Sequence, residues 1–246
     1  MSTILVTGGT GNLGALVAAR LRDRGHEVRV LSRRAPRYPV DLRDGTGLDA
    51  ALAGAEVVVH CASSPRGGDD TAARHLVAAA RRAGTVGNLV YVSIVGVDVV
   101  PLGYYRTKLR VERLLEESGL GVTVLRATQF HDLVARIVGA AARLPVMPLP
   151  KDVRVQPIAV GEVADRLADL AVPTPAGRVP DMGGPEIRTL PDLARTYLAA
   201  TSRTRRIVPL PLTGRIHAAL RQGANLTPSH AVGRGTFAEF MAGRGR

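Results

Sequence analysis

The sequence of 246 residues contains one cysteine, no tryptophan and only 3% aromatic residues. Cys61 alone forms no intramolecular disulfide and supports no cysteine-based zinc site, so no metal is expected. Lysine is nearly absent too: apart from Lys108 and Lys151, all 31 remaining basic residues are arginine. No apolar run reaches the roughly 18 residues of a membrane span. The nearest, 133–150, carries Arg136, Arg143 and two internal prolines. The N-terminus has no charged segment ahead of its first apolar run, so no secretion signal is read. A cytoplasmic protein without membrane association is expected. A hydrophobic share of 46% and a charged share of 22% exclude disorder and collagen-like repeats. A chain this long buries roughly 70–75% of its unfolded surface and needs no covalent staple.

The net charge of +12 raises the question of nucleic acid. The arginines are spread along the chain, without the dense cluster or interleaved aromatics of a nucleic-acid face. Their excess over lysine, beside abundant Ala, Gly and Val, reads as compositional bias. Net charge alone drives only non-specific association. The expected partner is a small-molecule substrate rather than a specific nucleic acid, and the oligomeric state stays open.

Over residues 1–130, short apolar runs alternate with amphipathic segments, the rhythm of βαβ units on a parallel sheet. Strands are predicted at Thr3–Thr7, Glu27–Ser32, 56–62, 88–93 and Val122–Ala127. Their nearly continuous Val, Ile and Leu suits strands covered by helices on both faces. Helices are predicted over 13–24, 46–53, 70–83 and 105–118. Each ends near a glycine able to take a left-handed cap: Gly25, Gly54, Gly84 and Gly119. The fold class is therefore α/β, a doubly wound, Rossmann-like parallel sheet with a small C-terminal capping region. After Phe130, prolines at 145, 148, 150 and 157 predict a long connection. Strands near 153–158, 178–182 and 206–210 and helices near 161–171, 190–200 and 213–222 follow. These pieces look too short for a core of their own. Residues 1–130 are read as a dinucleotide-binding core, and 131–246 as a substrate-binding region packed on it, with one strand and helix completing the sheet.

Thr7–Gly14 reads TGGTGNLG (Thr7, Gly8, Gly9, Thr10, Gly11, Asn12, Leu13, Gly14), directly after a strand and opening a helix. It satisfies both G-x-G-x-x-G and T-G-x-x-G-x-x-G. Glycines there allow a tight turn, close approach of backbone to a pyrophosphate, and packing of helix on strand. The positive helix end then faces the phosphates. The second strand ends in Ser32-Arg33-Arg34, where an NAD site usually carries an acidic residue for the ribose 2′-hydroxyl. Two guanidinium groups suit a 2′-phosphate instead, so NADP(H) is the expected cofactor; the plainer alternative is a pair of solvated arginines. Asp41 and Leu42 are placed to meet the adenine edge. Cys61, Ala62 and Ser63 border the ribose, with Cys61 read as a packed small residue rather than a nucleophile.

Tyr104 and Lys108 form Y-x-x-x-K, and residues four apart share a helix face. A free tyrosine, with a pKa near 10, is tuned for proton exchange when a neighbouring ammonium stabilises its phenolate. Ser93, ending the preceding strand, is placed to polarise the substrate oxygen. In this order the segments TGGTGNLG, VVVHCAS, YVSIVGVD, YYRTK, LRATQFHD and DMGGPE resemble the short-chain dehydrogenase/reductase superfamily, and more closely its atypical extended, NmrA-like branch of NAD(P)H-binding proteins. The resemblance spans nearly the whole chain. It implies a doubly wound sheet, a C-terminal region forming one wall of the substrate pocket, and Ser93, Tyr104 and Lys108 as the superfamily's serine, tyrosine and lysine. It also implies that Thr128, Gln129 and Phe130 line the nicotinamide. The eleven-residue interval from Ser93 to Tyr104 is shorter than in typical short-chain reductases and much shorter than in sugar-nucleotide epimerases. Phe130, His131 and Met147 are candidate substrate-pocket residues, with core packing as the alternative, and His131 is equally a capping or packing histidine. The function expected is NADPH-dependent oxidoreduction of a carbonyl, quinone or conjugated ketone, with Tyr104 as proton donor. The alternatives are a non-catalytic NADP(H)-binding sensor acting through a protein partner, or an isomerase.

Overall fold

Apolar, β-branched runs separated by glycine-ended helices become strands in the computed structural model, which describes residues 1–65 and 67–244. The elements are β1 (Thr3–Thr7), α1 (Asn12–Asp23), β2 (Glu27–Ser32), β3 (Tyr38–Pro39), α2 (Leu48–Leu52), β4 (Val57–His60), α3 (Asp69–Ala83), β5 (Asn88–Ile94), α4 (Gly103–Glu116) and β6 (Val122–Ala127). There follow α5 (His131–Ala141), β7 (Val146–Leu149), β8 (Arg154–Val155), α6 (Val160–Leu170), β9 (Gly177–Arg178) and β10 (Arg188–Thr189). The chain ends with α7 (Leu190–Ala200), β11 (Arg206–Pro209), α8 (Arg215–Arg221) and α9 (Phe237–Arg244). Gly84 closes α3 in the left-handed conformation at φ 66°, its N–H on the Ala80 carbonyl, as its position predicts.

The chain divides into two compact units. The first comprises Met1–Ser93, Gly103–Arg126 and Gly161–Pro180. Its parallel sheet has the order β3-β2-β1-β4-β5-β6-β9, with Thr7 in register with Leu31 on one side and His60 on the other. Strand order reverses between β1 and β4, and ligands of such sheets bind outside the carboxyl ends of the strands at that point. Leu5, Leu31 and Val58 of the sheet form one buried cluster with Leu48, Leu76 and Leu115 of α2, α3 and α4. Each such side chain contributes roughly 1.5–3 kcal/mol by burial. The buried Asn88 amide donates to the Leu170 and Val172 carbonyls at 3.2 and 2.8 Å and accepts from Thr123 Oγ1 at 3.0 Å. It thereby ties β5 and β6 to the end of α6.

The second unit comprises Ile94–Leu102, Ala127–Val160 and Asp181–Arg246. Within 131–246, 161–180 (α6 and β9) cluster with the first unit and its sheet, while 94–102 cluster with the second. The expectation that these later pieces lack a core is overturned. Val134, Val138, Met147, Leu149, Leu193, Leu198, Phe237 and Met241 form a buried cluster of their own. The predicted long connection after Phe130 is instead the helix α5, and α9 closes the cluster. Two small sheets, β8 with β10 and β7 with β11, are built from strands that fall between α5 and α9 in sequence.

Candidate functional site

The glycine loop is shaped by steric necessity. Gly8 sits at φ +64°, and a Cβ there would lie 2.8 Å from the Ala62 backbone, just past β4. A Cβ on Gly14 would lie 2.4 Å from the Gly8 carbonyl oxygen, so α1 packs directly on the loop. Gly11 caps α1 without a side-chain hydrogen bond, and the first turn holds no acidic residue. No carboxylate in that turn competes with an anion for the positive end of the helix. The cradle fits a diphosphate, because both close approaches leave backbone where any larger side chain would stand.

Beside the loop lies a cavity of about 480 Å³ lined by Gly8, Thr10, Gly11, Ser32, Arg33, Arg34, Asp41, Leu42, Arg43, Cys61, Ala62, Ser63 and Asp69. Most of the predicted cofactor residues of this unit therefore converge. Thr10 Oγ1 donates to Ser32 Oγ at 3.0 Å, and Ser32 Oγ accepts the Arg34 N–H at 3.2 Å, which joins the loop to the end of β2. Arg33 and Arg34 are exposed at this rim. Arg43 donates to the Gly67 carbonyl at 2.8 Å. Thr7, Gly9, Leu13 and Gly14 are buried and shape the loop from behind, while Asn12 is exposed at the helix start. Burial pushes the Cys61 thiol up to about 12, which keeps it protonated and inert, in line with a packed small residue.

Thr7 Oγ1 lies 2.7 Å from His60 Nδ1 and accepts the Ala62 N–H at 3.2 Å. Burial, with the Lys108 charge adding to it, lowers His60 to about 3, far below its ordinary 6.5. Both states are uncharged above about pH 6.5; below that, the unfolded chain takes up a proton that the folded one refuses. Stability should therefore fall as pH drops from 6.5 towards 3, by up to about 1.4 kcal/mol per pH unit from this residue. A His60→Gln protein should show a smaller loss of Tm between about pH 6 and about pH 4 than the wild type. Equal losses would refute this origin.

Tyr104, Lys108 and Glu112 form one stripe along α4. Lys108 is buried, its Nζ donating to the Val92 carbonyl at 3.2 Å and lying 4.7 Å from the Tyr91 ring centroid. Burial lowers Lys108 to about 8 against the opposing pull of Asp69. Glu112 is buried in a two-pronged ion pair with Arg126 of β6, at 2.9 and 2.6 Å. Tyr104 departs from the expected pairing. Its hydroxyl meets Ser63 Oγ at 2.8 Å, and Ser63 donates on to Asp69 at 2.5 Å. Burial, with the Asp69 charge adding to it, raises Tyr104 above its ordinary value. It rests as a phenol rather than as a phenolate tuned by Lys108. Ser93 is buried at the end of β5, and its Oγ has no hydrogen-bond partner among the described residues. Asp69, Arg43 and Glu112 escaped the sequence reading. Glu112 had a signal, four residues beyond Lys108; Asp69 and Arg43 had none, because their contacts join distant segments.

The remaining predicted residues belong to the second unit. Thr128 Oγ1 donates to the Gln156 carbonyl at 2.6 Å, Gln129 Nε2 to the Asn225 carbonyl at 3.1 Å, and Phe130 bridges to Ile158. His131 is buried at the start of α5, its ring 6.0 and 5.2 Å from those of Phe237 and Phe240. Met147 is fully buried in that unit's core, where the packing alternative placed it. Among the described residues, no His, Cys, Asp or Glu cluster suits a metal ion. Nor is any helix there long and apolar enough to cross a membrane.

Known proteins share this pattern. An uncharacterized protein of Mycobacterium tuberculosis is 33% identical over 173 residues, covering 67% of this chain but only 19% of that protein. A (4-alkanoyl-5-oxo-2,5-dihydrofuran-3-yl)methyl phosphate reductase of Streptomyces griseus is 34% identical over 139 residues, 52% of this chain and 48% of that enzyme. The chain thus matches about a fifth and about half of these two relatives' lengths. An NADPH-dependent quinone oxidoreductase of Escherichia coli, solved with NADPH, has the same fold at TM-score 0.81 and 21% identity, covering 98% of this chain and 99% of that one. The NAD(P)H-binding family model spans residues 8–171, from the glycine loop past α6. With that match covering two thirds of the chain and joined to the Rossmann-like sheet, the chain belongs to the NAD(P)H-binding family.

Proposed function

We propose that this protein is an NADPH-dependent reductase of a carbonyl, quinone or conjugated ketone, with Tyr104 as proton donor. The observation that carries the reading is the half-buried Tyr104 phenol, its hydroxyl 2.8 Å from Ser63 Oγ and its pKa raised by burial, on the same α4 stripe as Lys108. The reductase and the NADPH-dependent quinone oxidoreductase described above support the reaction class. Gly8, Gly11 and the α1 N-terminus would hold the diphosphate, and Arg33 and Arg34 the 2′-phosphate. The cofactor supplies a hydride when bound. Tyr104 gives its proton to the oxygen that gains negative charge, and Ser93 Oγ hydrogen-bonds that oxygen. Lys108 offsets the charge left on the phenol. A substrate-binding role for 131–246 follows from the superfamily resemblance.

The decisive experiment follows NADPH oxidation across a panel of carbonyls and quinones. No turnover on the whole panel, with NADPH binding intact, would replace the reductase by a sensor. Cofactor choice is tested separately. Each charge-assisted bond to a 2′-phosphate contributes about 1.5–3 kcal/mol. NADPH should therefore bind more tightly than NADH, and an Arg33→Ala/Arg34→Ala protein should lose that margin in fluorescence titrations. Equal wild-type affinities would sink the assignment.

A further inference from the structure

The hydrogen bonds beneath Tyr104 have a direction. Asp69, buried at the start of α3, accepts from Ser63 Oγ at 2.5 Å and from the Ser64 N–H at 2.8 Å. An ionised carboxylate only accepts, so the single Ser63 proton lies towards Asp69. The Ser63 oxygen is left with lone pairs facing the Tyr104 hydroxyl 2.8 Å away. Tyr104 is then the donor in that contact. We propose that Asp69, acting through Ser63, is a positioning residue that orients and retains the Tyr104 phenol proton, setting the site to give a proton rather than to take one. The catalytic meaning of this chain rests on the reductase reading; the chain of hydrogen bonds does not.

A phenolate at Tyr104 would find no proton offered by Ser63 while Asp69 holds it, and would face the Asp69 charge. Other ionisable groups surround the pair. His60 and Cys61 come from β4 and its end, Tyr91 from β5, and Lys108 and Glu112 from α4. Glu112 is matched by Arg126, and Asp70 faces Arg74 and Arg110. Asp69 is thus the carboxylate whose hydrogen bonds reach Tyr104. On reaction the Tyr104 O–H bond breaks and its proton passes to the substrate oxygen. The Ser63 hydroxyl stays on Asp69, which also keeps the Ser64 N–H, so the phenolate gains no donor from Ser63. Water restores the Tyr104 proton from the exposed side at Ser63.

Titration of ring-labelled tyrosines by NMR tests this without turnover, with Tyr104→Phe assigning the signal. Asp69→Asn should lower the Tyr104 midpoint by about one pH unit or more, since it removes an adjacent negative charge. Ser63→Ala keeps the Asp69–Ser64 bond, guards against misfolding of the first variant, and should also lower the midpoint. A raised midpoint in Ser63→Ala would mean that Ser63 donates to Tyr104, and would overturn the proposal. Unchanged midpoints in both variants would overturn it too. Once a substrate is known, the alkaline limb of kcat/KM should move down with the titration. A shifted titration beside an unshifted limb would leave the chain in place and overturn the use of Tyr104 in the reaction.

Discussion

A Tyr104→Phe protein is expected to bind NADPH as the wild type does and to turn over roughly 10²–10⁴-fold more slowly, the usual effect of losing a general acid. Phenylalanine keeps the ring and removes the hydroxyl. What disappears is the contact to Ser63, which belongs to no strand and no helix end. The groups assigned to the diphosphate and 2′-phosphate, on the glycine loop and at the end of β2, stay as they are. Binding by fluorescence and single-turnover NADPH oxidation, measured side by side, separate the two effects. Undiminished turnover would remove the phenol from the mechanism. A parallel loss of binding would show instead that Tyr104 shapes the cofactor cavity.

Arg126→Met is expected to destabilise the fold by about 3–5 kcal/mol, because it leaves the buried Glu112 carboxylate without its partner. The ion pair is worth less than that number suggests, since removing both charges from water costs nearly what their attraction returns. Arg126→Met/Glu112→Leu should accordingly recover most of the loss. Urea unfolding with an unchanged m-value checks both variants. A loss under about 1 kcal/mol in the single variant would mean that Glu112 finds another donor or takes up a proton.

Much of the first unit was legible because its signals are local. The glycine loop, the Val-rich strands, the glycine caps and the Tyr104–Lys108 spacing lie within a turn or a strand of one another. The second unit was misread where proline drew attention from periodicity. The helical spacing of Val134, Ala135, Val138 and Ala142 ends before the first of those prolines, Pro145. α9 also carried an unread signal: Thr236 and Glu239 form a capping box, the Thr236 N–H on Glu239 and the Glu239 N–H on Thr236 Oγ1. The Asp69–Ser63–Tyr104 chain had no such signal. It exists only once the turn after β4, the start of α3 and the start of α4 are brought together, and no sequence period links them.

The interleaving of the two units bears on how the chain is made. The first sheet lacks β9 until residue 178 has left the ribosome, and the Asn88 amide lacks its Leu170 and Val172 carbonyls until those residues emerge. By then 94–102 and 127–160 have also been synthesised, while their partners from residue 181 onward have yet to appear. Through the middle of translation both units are therefore unfinished at once. A stop anywhere before Leu170 releases a chain whose Asn88 side chain cannot find these carbonyls, so a truncated product should be recognised and degraded rather than accumulate as a folded half.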